Sequence, residues 1–152
     1  LPRDGELNAN IVGHALGHHP TLGNEVPDLV VGRPPSLCKG CSHRDMYNTL
    51  NEALGQFGPG RVFSDIGCYT LGALEPFNAI NTCVDMGASI TMAKGAADVG
   101  WVPAVAVIGD SRFTHSGITG LLDAVNDKSN LVVVIADNST TGMTGAQKSS
   151  AT

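Results

Sequence analysis

Apolar positions along the chain switch between two periods. From Ser42, the residues Met46, Leu50, Ala53, Leu54 and Phe57 recur three and four apart, which places them on one face of an α-helix. Gly58-Pro59-Gly60 ends that helix. Arg61-Val62-Phe63-Ser64 reads as a short strand running into the loop Asp65-Ile66-Gly67-Cys68-Tyr69. Residues 87–99 are rich in small side chains and predict a helix packed closely on a sheet. Ala104-Val105-Ala106-Val107-Ile108 and Leu131-Val132-Val133-Val134-Ile135 are near-continuous apolar runs, as expected of parallel strands buried on both faces. Between them, residues 116–125 predict a helix with Ile118, Leu121, Leu122 and Val125 on one face. Residues 1–36 carry no such period and are rich in Gly and Pro, so 1–32 are read as a linker or arm. The pair His18-His19 has no third ligand at a suitable spacing and reads as loop histidines.

Strand, helix and strand therefore alternate, which predicts an α/β fold with a mostly parallel sheet. Ligands of such sheets bind beyond the carboxyl ends of the strands. The polar, Gly-containing loops 65–69, 109–116 and 137–145 all fall there. A length of 152 residues suits about one domain, placed at 33–152. The absence of an initiating Met and the Ser-Ala-Thr ending suggest a domain that is incomplete at its C-terminus.

Composition narrows the function classes. A net charge of −5 with nine basic residues argues against a nucleic-acid partner, because phosphate neutralisation needs a basic face. No apolar run approaches the roughly 18 residues of a membrane span, and the first residues do not resemble a signal peptide. Nineteen glycines beside seven aromatics suit tight turns around a ligand bound by backbone. Cys38-Lys39-Gly40-Cys41 in an α/β chain reads as a reduced metal-binding or redox pair, which places the protein in the cytoplasm. With Cys68, three thiolates could share a [4Fe–4S] cluster given one more, and Cys83 is the fourth by count. Zinc and inert buried thiols are the other readings.

The sharpest signal joins two loops. Gly109-Asp110-Ser111 follows one apolar strand and Asp137-Asn138 follows the next, with one helix between. Adjacent parallel strands would bring Asp110 and Asn138 to one edge of the sheet, as hard oxygen ligands suited to magnesium and a shared phosphate. Gly109 allows close backbone approach, and a helix starting near His115 would offer free amides to a phosphate. Read alone, each half is equally a helix cap or a turn.

This pair of loops resembles the thiamine-diphosphate motif, Gly-Asp-Gly followed after 25 to 30 residues by Asn-Asn, with Ser111 in place of the second Gly. The segment Arg33-Pro34-Pro35-Ser36-Leu37-Cys38-Lys39-Gly40-Cys41-Ser42-His43-Arg44 looks like the start of the thiamine-binding domain of indolepyruvate ferredoxin oxidoreductase alpha subunits. So do 65–74, Met86-Gly87-Ala88-Ser89, 109–117 and 137–145. These subunits belong to the 2-oxo acid:ferredoxin oxidoreductase family. The resemblance implies a three-layer thiamine-diphosphate-binding fold with helices on both faces of the sheet. It implies magnesium held by Asp110, Asn138 and the Thr140 carbonyl. Ile66, Gly67, Cys68, Tyr69, Met86, Gly87, Ala88 and Ser89 would line the cofactor, with Gly109, Ser111, Arg112, Gly142 and Met143 near the diphosphate. Cys38, Cys41 and Cys68 would ligate the cluster, with a fourth ligand outside this chain and Cys83 not a ligand. Lys39 stands where family members commonly have Pro.

The function so implied is oxidative decarboxylation of a 2-oxo acid, an aryl pyruvate such as indolepyruvate, to an acyl-coenzyme A. Electrons would pass through the cluster to ferredoxin. The Glu that activates the cofactor is expected on a pyrimidine-binding domain or subunit, so the chain should act within an oligomer. His115 is a candidate for proton transfer, or simply a helix-start residue; His43 reads as structural. Two other readings stand beside this one: a non-redox thiamine-diphosphate decarboxylase or synthase, and a metal-binding interaction module with a vestigial cofactor fold.

Overall fold

A computed structural model describes residues 8–18, 27–32 and 34–151. His19 of the histidine pair and Arg33 at the start of the quoted motif lie outside the described residues. The chain divides into two units, Leu1–Pro34 and Pro35–Thr152. In the first, Ala9–Ala15 forms a short helix (α1), where the sequence predicts only an arm. The Asn8 side chain caps it, accepting from the Ile11 amide at 3.1 Å.

The second unit is built on four parallel strands in the order β2-β1-β3-β4, with β1 Val62–Ser64, β2 Thr82–Cys83, β3 Ala104–Gly109 and β4 Leu131–Ala136. Helix α2 (Ser42–Leu54) covers one face. Tyr47 is its fully buried anchor, and it packs with Val62, Phe77, Val105 and Val107. Helices α3 (Ala88–Asp98) and α5 (Ile118–Asn126) lie on the other face. There Ile90, Ala93 and Ala97 meet Ala104, Ala106 and Ile108. The odd residues of β3 thus serve one core and the even residues the other, as strand pleating requires. Every residue of β3 is buried, so the uninterrupted apolar run predicted it correctly. This is the expected α/β fold of three layers.

Four expectations need correction. The run 131–135 is not buried on both faces, because β4 is an edge strand and Val132 and Ile135 are exposed. Phe57 does not extend the buried face of α2; it ends a 3-10 turn, Gly55–Phe57, and is exposed. The helix after β3 does not begin near His115. It begins at Asp110 with a short turn, Asp110–Arg112 (α4), and widens through a π-helical segment, Phe113–Gly117, before α5. On α5 the predicted apolar face is not the buried one. Gly120 and Ala124 are buried, while Ile118, Leu122 and Val125 are exposed. A Cβ on Gly120 would sit 3.0 Å from the Thr91 side chain of α3. Approach that close selects the smallest residues for the contact; of the predicted face only Leu121 packs against the core, and the other three turn outward.

Candidate functional site

The carboxyl ends of β1, β3 and β4 open into one cavity, lined by residues of the 66–69 loop, by 109–112, by Ala136, Asn138 and 140–144, and by His43 of α2. Its wall is ordered by Tyr69, whose buried ring lies between Gly67 and Gly109. A Cβ on either glycine would collide with that ring. The two loops can therefore close on a common aromatic only because neither carries a side chain there. The Tyr69 hydroxyl donates to the Ile66 carbonyl at 3.0 Å, and its backbone carbonyl accepts from the Tyr47 hydroxyl at 2.6 Å. Burial raises the pKa of both phenols, so both stay protonated and donate.

Asp110 sits at the end of β3, where the strand turns directly into helix. It is 6% exposed, and its Oδ2 has no hydrogen-bond partner. A buried carboxylate oxygen left without a partner is costly, and it marks a place where a cation or donor belongs. Asn138 lines the same cavity from the end of β4, because β3 and β4 pair in register with Gly109 opposite Ala136. The Asn138 side-chain oxygen also accepts from the Thr140 amide at 3.2 Å, which folds residues 138–140 into a tight turn. The Ser111 and Thr141 hydroxyls bond each other at 3.1 Å, and the Arg112 Nε donates to the Ile66 carbonyl at 3.2 Å. A carboxylate, an amide oxygen and nearby carbonyls form a set of hard oxygen donors that suits magnesium.

Asp65 organises the far side. It is fully buried. Its Oδ1 accepts from the amides of Ile66 (3.2 Å) and Gly87 (2.5 Å), and its Oδ2 from the Ser89 hydroxyl (3.0 Å). Its carbonyl accepts from the hydroxyls of Thr70 (2.7 Å) and Ser64 (3.1 Å). One residue thus fastens the loop after β1 to the turn that starts α3.

The predicted residues divide among three places. Ile66, Gly67, Cys68, Tyr69, Gly109, Asp110, Ser111, Arg112, Asn138, Thr140, Gly142 and Met143 share the cavity. Met86, Gly87 and Ala88 line a separate, open cleft with Ser116 and Asp123, while Ser89 is buried against Asp65. His115 is exposed and stands in neither. His43, Ala136, Thr141 and Thr144 line the cavity without having been expected there. The short repeat of hydroxyl residues at 139–141 was a usable signal for Thr141.

The cysteines adjoin this site. All four are free. Burial raises the Cys68 pKa, and the neighbouring Cys41 and Cys38 raise it further, so the three thiols lie within electrostatic reach of one another. Cys68 also borders the cavity, since a Cβ on Gly142 would stand 3.4 Å from its sulfur. Cys83 points to the Asp65 carbonyl at 3.5 Å instead. Among the described residues, no three His, Cys, Asp or Glu side chains converge tightly enough to hold an ion by themselves. His43 is 3% exposed, with Nδ1 3.2 Å from the Cys41 sulfur and Nε2 without a hydrogen-bond partner. Burial lowers its pKa, against an opposing pull from the Ala136 carbonyl and Asp110. Among the described residues, no helix is long and apolar enough to cross a membrane.

Comparison with known proteins fits this geometry. Residues 65–152 match the family described as thiamine pyrophosphate enzyme, C-terminal TPP binding domain. A protein of Methanothermobacter marburgensis named indolepyruvate oxidoreductase subunit IorA is 45% identical over 97% of this chain and 25% of its own. Its namesake in Archaeoglobus fulgidus is 44% identical over 76% of this chain and 18% of its own. The chain thus spans a quarter or less of these relatives. In three dimensions it is similar to a 2-oxoglutarate:ferredoxin oxidoreductase from Magnetococcus marinus, with a TM-score of 0.64 and 22% identity over 78% of this chain and 42% of the other. That likeness concerns the fold.

Proposed function

Since the chain belongs to the thiamine pyrophosphate enzymes, as their C-terminal TPP binding domain, we propose that its cavity holds magnesium and the diphosphate of thiamine diphosphate within a 2-oxo acid oxidoreductase. The observation that carries this reading is the buried, unpartnered Asp110 Oδ2 in the cavity between the ends of β3 and β4. Asp110 and Asn138 hold the cation with the Thr140 carbonyl, and the Ser111 and Arg112 amides at the helix start face the diphosphate. Tyr69, with Gly67 and Gly109, keeps the loops closed around it. Bound thiamine diphosphate supplies the carbanion chemistry that decarboxylates a 2-oxo acid. The carboxylate that activates it belongs to a pyrimidine-binding domain or subunit, which makes the active enzyme an assembly.

Cys38 and Cys41, which act electrostatically on Cys68 at the cavity, are read with it as ligands of a [4Fe–4S] cluster that carries electrons on to ferredoxin. Coenzyme A is the acyl acceptor in this reading. The names of the relatives favour an aryl pyruvate such as indolepyruvate as substrate.

The test is the full-length protein, produced anaerobically with its partner subunit and assayed for bound thiamine diphosphate, iron and sulfide. Asp110→Asn should lose the cofactor and keep the iron; Cys38→Ser should do the reverse. Cofactor retained in Asp110→Asn would overturn the site, and cofactor without iron in the wild type would make the protein a non-redox thiamine enzyme.

A further inference from the structure

Two buried polar atoms in the wall of the cavity lack a well-formed hydrogen bond within the chain, although the Ala136 carbonyl lies near enough to the His43 ring to act on it. One is Asp110 Oδ2, and the other is Nε2 of His43. His43 reaches the cavity from α2 and Asp110 from the end of β3, and the two groups feel each other electrostatically. The imidazole is fixed at both ends of its ring. Nδ1 meets the Cys41 sulfur at 3.2 Å, and the ring stands edge-on to Tyr69, with centroids 6.1 Å apart and planes at 66°. Nε2 is therefore left directed by its surroundings rather than free to turn toward solvent. A buried imidazole nitrogen without a well-formed hydrogen bond is also costly, though less so than the orphaned carboxylate oxygen. One ligand that fills the cavity relieves both.

We propose that His43 is a direct contact of the bound magnesium–diphosphate complex, made through Nε2. This rests on the reading of the cavity given above. With Nδ1 taken up by the Cys41 sulfur, Nε2 is the ring nitrogen left to face the complex. His43 is thus a hydrogen-bonded link between the Cys38–Cys41 turn and the cavity.

The experiment uses the full-length protein and measures the dissociation constant of thiamine diphosphate in the presence of Mg2+, by quenching of intrinsic fluorescence. Catalytic turnover is not the readout. Gln places an amide near the position of Nε2 and can donate or accept, Asn places one near Nδ1, and Phe keeps the ring and its packing alone. His43→Gln should bind within about threefold of wild type. His43→Asn and His43→Phe should bind about tenfold or more weakly, the loss of one hydrogen bond to a charged group. Thermal unfolding of each variant without cofactor identifies any that fails to fold, and the comparison of Gln with Phe survives the loss of Asn. Binding by His43→Phe equal to wild type, with Asp110→Asn still defective, overturns this inference alone. Binding indifferent to Asp110→Asn overturns the reading of the cavity and this inference with it.

Discussion

Tyr69 illustrates how little room the site leaves at single positions. Its ring fills the space that side chains on Gly67 and Gly109 would need. Gly109→Ala should therefore displace the ring or the strand end and cost about 1–3 kcal/mol, as overpacking of a filled interior does. Urea unfolding of the cofactor-free protein reads this directly, and an unchanged midpoint would mean the ring moves aside freely. The cysteines make a second prediction at this scale. Cys38 is exposed, whereas burial raises the pKa of both Cys68 and Cys83. Metal-free protein should be alkylated first at Cys38 and slowest at Cys68 and Cys83, as peptide mapping by mass spectrometry would show. A cluster on Cys38, Cys41 and Cys68 protects those three and leaves Cys83 as it was. Protection of Cys83 as well would make it a fourth ligand.

Elements meet through a second kind of contact on the face away from α2. Lys94 of α3 lies 2.7 Å from Asp98 on its own helix and 2.7 Å from Asp127 just past α5, with Asp123 at 3.6 Å. Asp98 also accepts from the Ser129 hydroxyl at 2.6 Å. Hydrogen bonds from Lys94 hold the Asp98 and Asp127 carboxyls below their ordinary range. A carboxyl depressed in the folded state stabilises it above the unfolded pKa, and that share is lost as pH falls through the folded value. The melting temperature should drop on acidification below about pH 4. Lys94→Met should flatten part of that drop, and salt should weaken it, because the carboxylates are exposed. A drop of the same depth in Lys94→Met would exclude the α3–α5 pairs as its source. The same helices show where pattern reading stops. The uninterrupted run of β3 was legible because a strand in the middle of a parallel sheet leaves no polar alternation to mislead; β4 keeps an apolar run at the sheet edge, with Val132 and Ile135 exposed. The two residues of β2 were not, since backbone pairing with β1 defines them and no side-chain pattern does. The orientation of α5 was misread because Ile118, Leu122 and Val125 look like a core face, whereas close approach to α3 selects Gly120 and Ala124.

Across the whole molecule, the candidate site was legible where its residues sit in strand-end loops and hidden where they come from elsewhere. Asp110 and Asn138 could be paired from sequence because two apolar runs pair in register and fix their loops at one end of the sheet. His43 could not be placed, because its burial depends on how α2 packs against the 66–69 loop. The part played by Asp65 was equally hidden, as its acceptor oxygens serve partners 22 and 24 residues away. That residue has a consequence for motion. The Ile66 amide, the Gly87 amide and the Ser89 hydroxyl share one carboxylate, so none can be released without weakening the hold on the others. The loop after β1 and the turn into α3 should accordingly open to solvent together, with a common free energy of opening in hydrogen exchange, as one cooperative unit. The side of the cavity formed by the loop after β1 then moves together with the neighbouring cleft at the start of α3 rather than by itself.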